Sequence, residues 1–213
     1  MPYESIRTGQ YYLIVCNGRA VRSPLSRQYL TGYRLLADDL CEDLNRSGLP
    51  DAETVSLGTL HATYLDRGAN VPRTKLESDL LTRYDRMLDF ALNRPQERTA
   101  EAMMSAWFGP VVPPDTLRAW LRSLSVRQLV SALETADATG SVLVAYRLLR
   151  NELPAPRLAA GVRKYDCDRG YGVSELTLIL EQVRRYAQVP EEPELVAAAR
   201  LEFEFGGEDI GAR

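Results

Sequence analysis

Near its start the chain reads Tyr11-Tyr12-Leu13-Ile14-Val15-Cys16-Asn17-Gly18-Arg19-Ala20-Val21-Arg22-Ser23-Pro24. The first six residues are rich in β-branched and aromatic side chains, which pack well on a pleated surface. Asn17-Gly18 follows. Both central positions of a type I′ turn need positive φ, and Asn and Gly adopt it at least cost. Arg19 to Ser23 then alternates polar and apolar with the period of two that marks a half-buried strand. Pro24 stops the run. A β-hairpin turning at Asn17-Gly18 is predicted.

Beyond Pro24 the period changes. Tyr29, Tyr33, Leu36, Ala37, Leu40, Cys41 and Leu44 recur at helical spacing, which predicts a first helix from about Ser26 to Arg46, stopping before Gly48. Residues 51–66 read as extended, then helical. Leu76, Leu80, Tyr84, Met87, Leu88 and Ala91 predict an amphipathic helix over Lys75–Leu92, ended by Pro95, with a shorter helix around Thr99–Phe108. The run Gly109-Pro110-Val111-Val112-Pro113-Pro114 is a break. Asp115 is placed to cap a short helix carrying Leu117, Trp120 and Leu121. Ser125 with Gln128 has the capping-box spacing at the head of a helix with Leu129, Val130 and Leu133. Thr139-Gly140-Ser141 leads into a helix with Val142, Ala145, Tyr146 and Leu149. Pro154 and Pro156 suit the first turn of the next. A long helix carries Leu176, Ile179, Leu180, Val183 and Tyr186, and Pro193 opens a short one. The expected class is α+β: a small N-terminal β element with the hairpin, followed by a larger all-helical domain. The expected division is 1–66, the β-containing region with the first long helix; 67–205, the helical domain; and 206–213, a flexible tail. Leu80, Tyr84, Leu88, Leu129, Leu133, Tyr146, Leu149, Ile179 and Val183 are the expected core.

Composition narrows the function. The 213 residues are 45% hydrophobic and 26% charged, with a formal net charge of -3. Those values are ordinary for a globular protein and give no electrostatic case for nucleic acid or an acidic membrane. Cys16, Cys41 and Cys167 are odd in number and far apart, which argues against a disulfide framework or zinc site and for a reducing compartment. The longest apolar run is too short to span a bilayer. Met1-Pro2-Tyr3-Glu4 has neither a secretory nor a transit layout, so a bacterial cytoplasm is expected; a mitochondrial matrix would need an import signal.

Catalytic chemistry finds no purchase. His61 is the single histidine; any triad would need it, and Leu60-His61-Ala62 reads instead as a structural position near the core. No glycine-rich phosphate or dinucleotide loop is present. Asp166-Cys167-Asp168 lacks the further oxygen ligands of a calcium loop. Asp38-Asp39 and Glu191-Glu192 read as exposed helix carboxylates. The expectation is a protein with no catalytic, cofactor-binding or metal-ligating residues and no cofactor.

Several segments, in order, resemble the assembly chaperones of the ATP synthase alpha subunit, the mitochondrial and alphaproteobacterial Atp-twelve chaperones. Asn17 to Pro24 is similar to that family's D-G-R-P-[LV]-[KR]-T-P hairpin. Val55-Ser56-Leu57-Gly58-Thr59-Leu60-His61-Ala62-Thr63-Tyr64-Leu65-Asp66 resembles its M-P-L-T-R-L-A-N-T-A-L-D. Leu80 to Asp89 resembles a helix ending in tyrosine, aspartate and two leucines, and Trp107 with Trp120 resembles W-x-P-L-L-x-W. Ala138 to Ala145 is similar to T-G-S-L-[IV]-L-A-L, Leu153 to Leu158 matches L-[ST]-x-E-E-A in position, and Tyr165 to Glu175 lies where the family has D-E-x-W-Q-x-E-x-W-G-x-D-x-E. The likeness covers most of residues 11–190. The chain departs from the pattern at the end of the first helix, where Cys41 to Asn45 replace tryptophan and glutamine. It departs again after Tyr171-Gly172, where Val173 and Ser174 replace acids and Glu175 remains.

The resemblance implies a chaperone that binds the unassembled alpha subunit and shields its apolar subunit interface until beta subunits replace it. It implies a protein partner; with the charge and apolar runs above, no nucleic acid and no membrane insertion are expected, and the oligomeric state is left open with a monomer favoured. The alternative it leaves open is an accessory subunit of a larger complex on the same fold. The implied partner-binding residues are Asp166, Asp168, Tyr171, Gly172 and Glu175. For Tyr171 and Gly172 the alternative is that they merely close the helical domain and make a turn.

Overall fold

The computed structural model describes residues 2–48, 55–68, 71–92, 107–165, 171–192 and 194–195, with side chains throughout except at 85–92 and 165. Strands β1 (Tyr3–Thr8), β2 (Tyr11–Cys16), β3 (Arg19–Ala20) and β4 (Leu30–Thr31) form one antiparallel sheet. The turn at Asn17-Gly18 has φ of 54° and 71°, as a type I′ turn requires. It pairs Cys16 with Arg19 and Val15 with Ala20. A second hairpin, through Gly9 at φ 59°, pairs all of β1 with β2.

The first helix is shorter than the spacing of its aromatics suggested. Helix α1 runs Arg34–Ser47, and residues 26–33 are a turn followed by β4, which pairs Thr31 with Tyr12 and Leu30 with Leu13. Ser26 sits at φ 62°, a value no helix admits. Tyr29 is fully buried and its hydroxyl donates to the Gly58 carbonyl at 2.9 Å. Strand pairing and this long-range bond override the local helical spacing. At the other end Gly48, at φ 80°, closes the helix by donating its N–H to the Leu44 carbonyl.

Helix α2 (Leu57–Thr63) continues into a π-helical turn at Tyr64–Gly68, so the described part of 51–66 is helical apart from Val55 and Ser56. Ser56 caps it, accepting from Thr59 N at 3.2 Å, and the buried Asp43 carboxylate accepts from Gly58 N at 2.9 Å. Helix α3 spans Arg73–Leu92, α4 Pro114–Ser123, α5 Val126–Thr139, α6 Val142–Leu149, α7 Ala155–Tyr165 and α8 Val173–Gln188. Asp115 lies inside the first turn of α4 and does not cap it; Pro114 at the first helical position needs no N–H partner there. Ser125 and Gln128 form the full capping box, and Gly140, at φ 70°, ends α5. The ends of the predicted Thr99–Phe108 and post-Pro193 helices fall largely outside the described residues.

Helix α5 is the axis of the helical body. It packs against α3, α6 and α8. Leu129, Val130 and Leu133 are fully buried. The hydroxyls of Ser131, Thr135 and Thr139 each donate to the carbonyl one turn back, at 2.9, 2.8 and 2.6 Å, so a helix wetted on almost no side leaves no hydroxyl unsatisfied. Leu80, Tyr84, Tyr146, Ile179 and Val183 join the same apolar cluster, Leu149 packs at its edge, and the Leu88 side chain lies outside the described residues. Among the described residues no helix is long and apolar enough to cross a membrane.

Candidate functional site

The sheet and the helices meet at a buried polar cluster that sequence patterning did not reveal. Arg127, on the first turn of α5, is 0% exposed. Its Nη2 donates to Glu192 Oε2 at 2.7 Å. The same carboxylate accepts from Thr31 Oγ1 at 3.1 Å and from the Gly32 N–H. Glu192 is therefore a buried link between β4 and α5, not the exposed helix residue expected. The guanidinium lies over the ring of Tyr64 at 4.4 Å and that of Tyr186 at 4.9 Å, where ring faces attract a cation. Gly32 has no room for a side chain here, because a Cβ would lie 2.8 Å from Glu192 Oε1.

His61 closes the cluster. It is fully buried, with Nε2 2.9 Å from the Leu30 carbonyl and Nδ1 3.0 Å from the Tyr186 hydroxyl. A carbonyl only accepts, so Nε2 carries the proton and Nδ1 accepts from Tyr186. Burial, then the nearby Arg127 charge, lowers its pKa to about 3. A neutral imidazole with both nitrogens committed has no lone pair left for a metal or substrate, and it serves here as a structural bridge. Among the described residues no group of three or more His, Cys, Asp or Glu is placed to hold a metal.

The residues singled out as a binding site lie at the start of α8. Asp166 and Asp168 are outside the described residues. Tyr171 is half-buried and packs against the core. Gly172 is the N-cap, and its N–H donates to Glu175 Oε2 at 3.3 Å, the glutamate half of a capping box. Gly172 has an ordinary φ of -70°, and among the described residues nothing lies within 4 Å of a Cβ built on it. Neither backbone strain nor packing against the described residues demands glycine there.

Further along α8 the outward face carries Leu178, 67% exposed, then Gln182 and Arg185, one and two turns on. Gln182 and Arg185 form one wall of a groove of about 380 Å³, with Tyr186, Val189 and Pro190 beside them. The opposite wall is α1, with Leu35, Leu36, Asp39, Glu42, Asp43 and Arg46, and Tyr33 and Leu57 complete it. Leu35 stands on the lip at 80% exposure. A signal for this groove was present in the sequence: Leu35, which lines it, falls off the apolar stripe of its own helix.

No protein-family model matches the chain, and no curated protein matches it by sequence. Solved structures do. A single-substitution variant of Atp12p from P. denitrificans superposes with a TM-score of 0.57 at 14% identity, over 94% of this chain and 96% of that one. The chain has the fold of Atp12p. Atu1473 from Agrobacterium tumefaciens, a protein described as a candidate chaperone, matches with a TM-score of 0.55 at 15% identity, over 87% of this chain and 81% of its own. The Atp12p superposition takes in nearly the whole of both chains.

Proposed function

We propose that this protein is an assembly chaperone that binds the unassembled alpha subunit of the ATP synthase catalytic sector and covers its apolar subunit interface until beta subunits displace it. The observation that carries the reading is the near-complete fold correspondence with Atp12p, joined to the order of family-like motifs along the sequence. A free subunit exposing apolar surface meant for its neighbours aggregates. Shielding it needs an apolar surface with a polar rim and no catalytic group. The work would be done in a bacterial cytoplasm or a mitochondrial matrix, with no cofactor.

The client would be gripped at the start of α8, by Tyr171, Gly172 and Glu175 together with the preceding Asp166 and Asp168. The space over Gly172, open among the described residues, supports this, because glycine there lets another backbone come close, and a half-exposed tyrosine supplies area with a polar tip. The test uses Tyr171→Ala and Gly172→Ser, each first checked for wild-type melting and then assayed for capture of purified alpha subunit. Serine is a better N-cap than glycine, so Gly172→Ser should fold at least as well as wild type while crowding the approach. Loss of about 2 kcal/mol or more of binding is expected for the tyrosine as a central contact. Wild-type capture by both folded variants would move the site elsewhere. Co-purification with ATP synthase in fixed ratio would replace the chaperone reading with that of an accessory subunit.

A further inference from the structure

We infer that the groove between α1 and α8 is a second docking site, for an amphipathic helical segment of the protein client that seats one large apolar side chain on the floor and carries a basic residue towards α1 and an acidic one towards α8. This rests on the chaperone reading and adds to it the chemistry of what is bound.

The charges in the groove carry the argument. Glu42 is already paired with Arg46 at 2.6 Å. Asp43 is buried and committed to the Gly58 N–H. Asp39 and Arg185 line the same cavity from opposite helices, both are exposed, and among the described residues neither has a partner. Among the described residues, a carboxylate on α1 and a guanidinium on α8 thus stand without partners in one cavity, whose lining also includes the buried apolar Leu36 and the Tyr186 ring. That pattern selects a segment with opposite charges on its two flanks and fixes its direction, since reversal would set like charges together. The volume is at the lower end of the roughly 300–1,000 Å³ of ordinary ligand pockets, which suits one large side chain. Leu35, 80% exposed on the lip, is placed to pack on the neighbouring turn of the bound segment.

The experiment has two arms. In the first, a fluorescein-labelled, alanine-rich helical peptide with one central phenylalanine, arginine on one flank and glutamate on the other is titrated with the full chain by anisotropy. Saturable binding is expected. It should fall by roughly tenfold in each of Asp39→Lys and Arg185→Glu, as for a lost charge contact, and should weaken with salt. Leu35→Asp should also weaken it, and a peptide with phenylalanine replaced by alanine should not bind. No saturable binding overturns the inference. So does binding indifferent to both charge reversals, which would mark a generic apolar pocket. In the second arm the same variants, all at exposed positions, are assayed for alpha-subunit capture. Undiminished capture by all three, alongside loss in Tyr171→Ala, overturns the groove and leaves the chaperone reading standing. Peptide binding that depends on Asp39 and Arg185, without capture of the alpha subunit by wild type, supports the groove and sinks that client.

Discussion

Replacing Glu192 by alanine should be among the most damaging single changes open to this fold. The carboxylate is 9% exposed and the Arg127 it neutralises is 0% exposed. Its loss leaves a buried guanidinium whose remaining contacts, among the described residues, are the Tyr64 and Tyr186 ring faces. Two further Arg127 nitrogens, Nε and Nη1, already lack hydrogen-bond partners among the described residues, so the side chain has no reserve of contacts. Breaking a buried pair by removing one partner costs about 3–5 kcal/mol. The buried Thr31 hydroxyl loses its acceptor as well, at about 1–3 kcal/mol for a group left buried and unsatisfied. Against a total stability of roughly 5–15 kcal/mol for a domain, Glu192→Ala should sit close to the edge of folding. Urea unfolding measures it, provided the denaturant slope is unchanged. The double variant Arg127→Met with Glu192→Leu should recover much of the loss, because replacing both partners removes the stranded charge. A Glu192→Ala protein within about 1 kcal/mol of wild type would refute the reasoning.

His61 gives a pH signature. Its folded pKa, about 3, lies below its ordinary 6.5, so between those values the unfolded chain binds more protons and stability falls as pH falls, by up to about 1.4 kcal/mol per unit. A His61→Gln variant should be less stable near neutrality yet lose less on acidification from pH 6.5; parallel pH profiles would contradict the assignment. Leu133→Ala removes a fully buried side chain from the axis of the helical body and should cost about 2–5 kcal/mol; wild-type melting would count against the packing described.

Short-range chemistry was the legible part. The Asn17-Gly18 turn, the Ser125–Gln128 capping box and the stop at Gly48 each depend on residues within one turn, and the α5 and α8 core stripes follow from periodicity alone. Failure came where distant partners decide. Residues 26–33 carry tyrosines at helical spacing, but β2 recruits Leu30-Thr31 as a strand and Glu192 takes the Gly32 N–H. Strand β1 hid because its middle breaks the usual pattern: the apolar Ile6 is exposed, while the polar Ser5 is half-buried and reaches Asp38 of α1 at 3.4 Å. Glu192 sits beside Glu191 and reads as solvated until Arg127 is brought to it in space. Of the candidate binding residues, Tyr171 and Gly172 were legible as lying at a helix entrance, whereas the groove needed residues of two helices brought together.

The buried cluster and the groove meet in one residue. Tyr186 donates its hydroxyl to His61, lies beneath the Arg127 guanidinium, and lines the groove floor. Val189 and Pro190, which continue the floor, belong to the same short connection that carries Glu191, whose carboxylate accepts from Val126 N at 2.9 Å, and Glu192. The floor is therefore held from behind by a charged, hydrogen-bonded network rather than by apolar packing alone. A surface fixed before its partner arrives loses less conformational freedom on binding. Variants inside the cluster should then depress stability and docking together, whereas Asp39, Arg185 and Leu35, on the exposed rim, should change docking with stability intact. A Glu192→Gln protein that still folds separates the two layers: its groove should bind the charged peptide more weakly than wild type although no groove residue was altered, and binding equal to wild type would show that the floor does not depend on the clamp behind it.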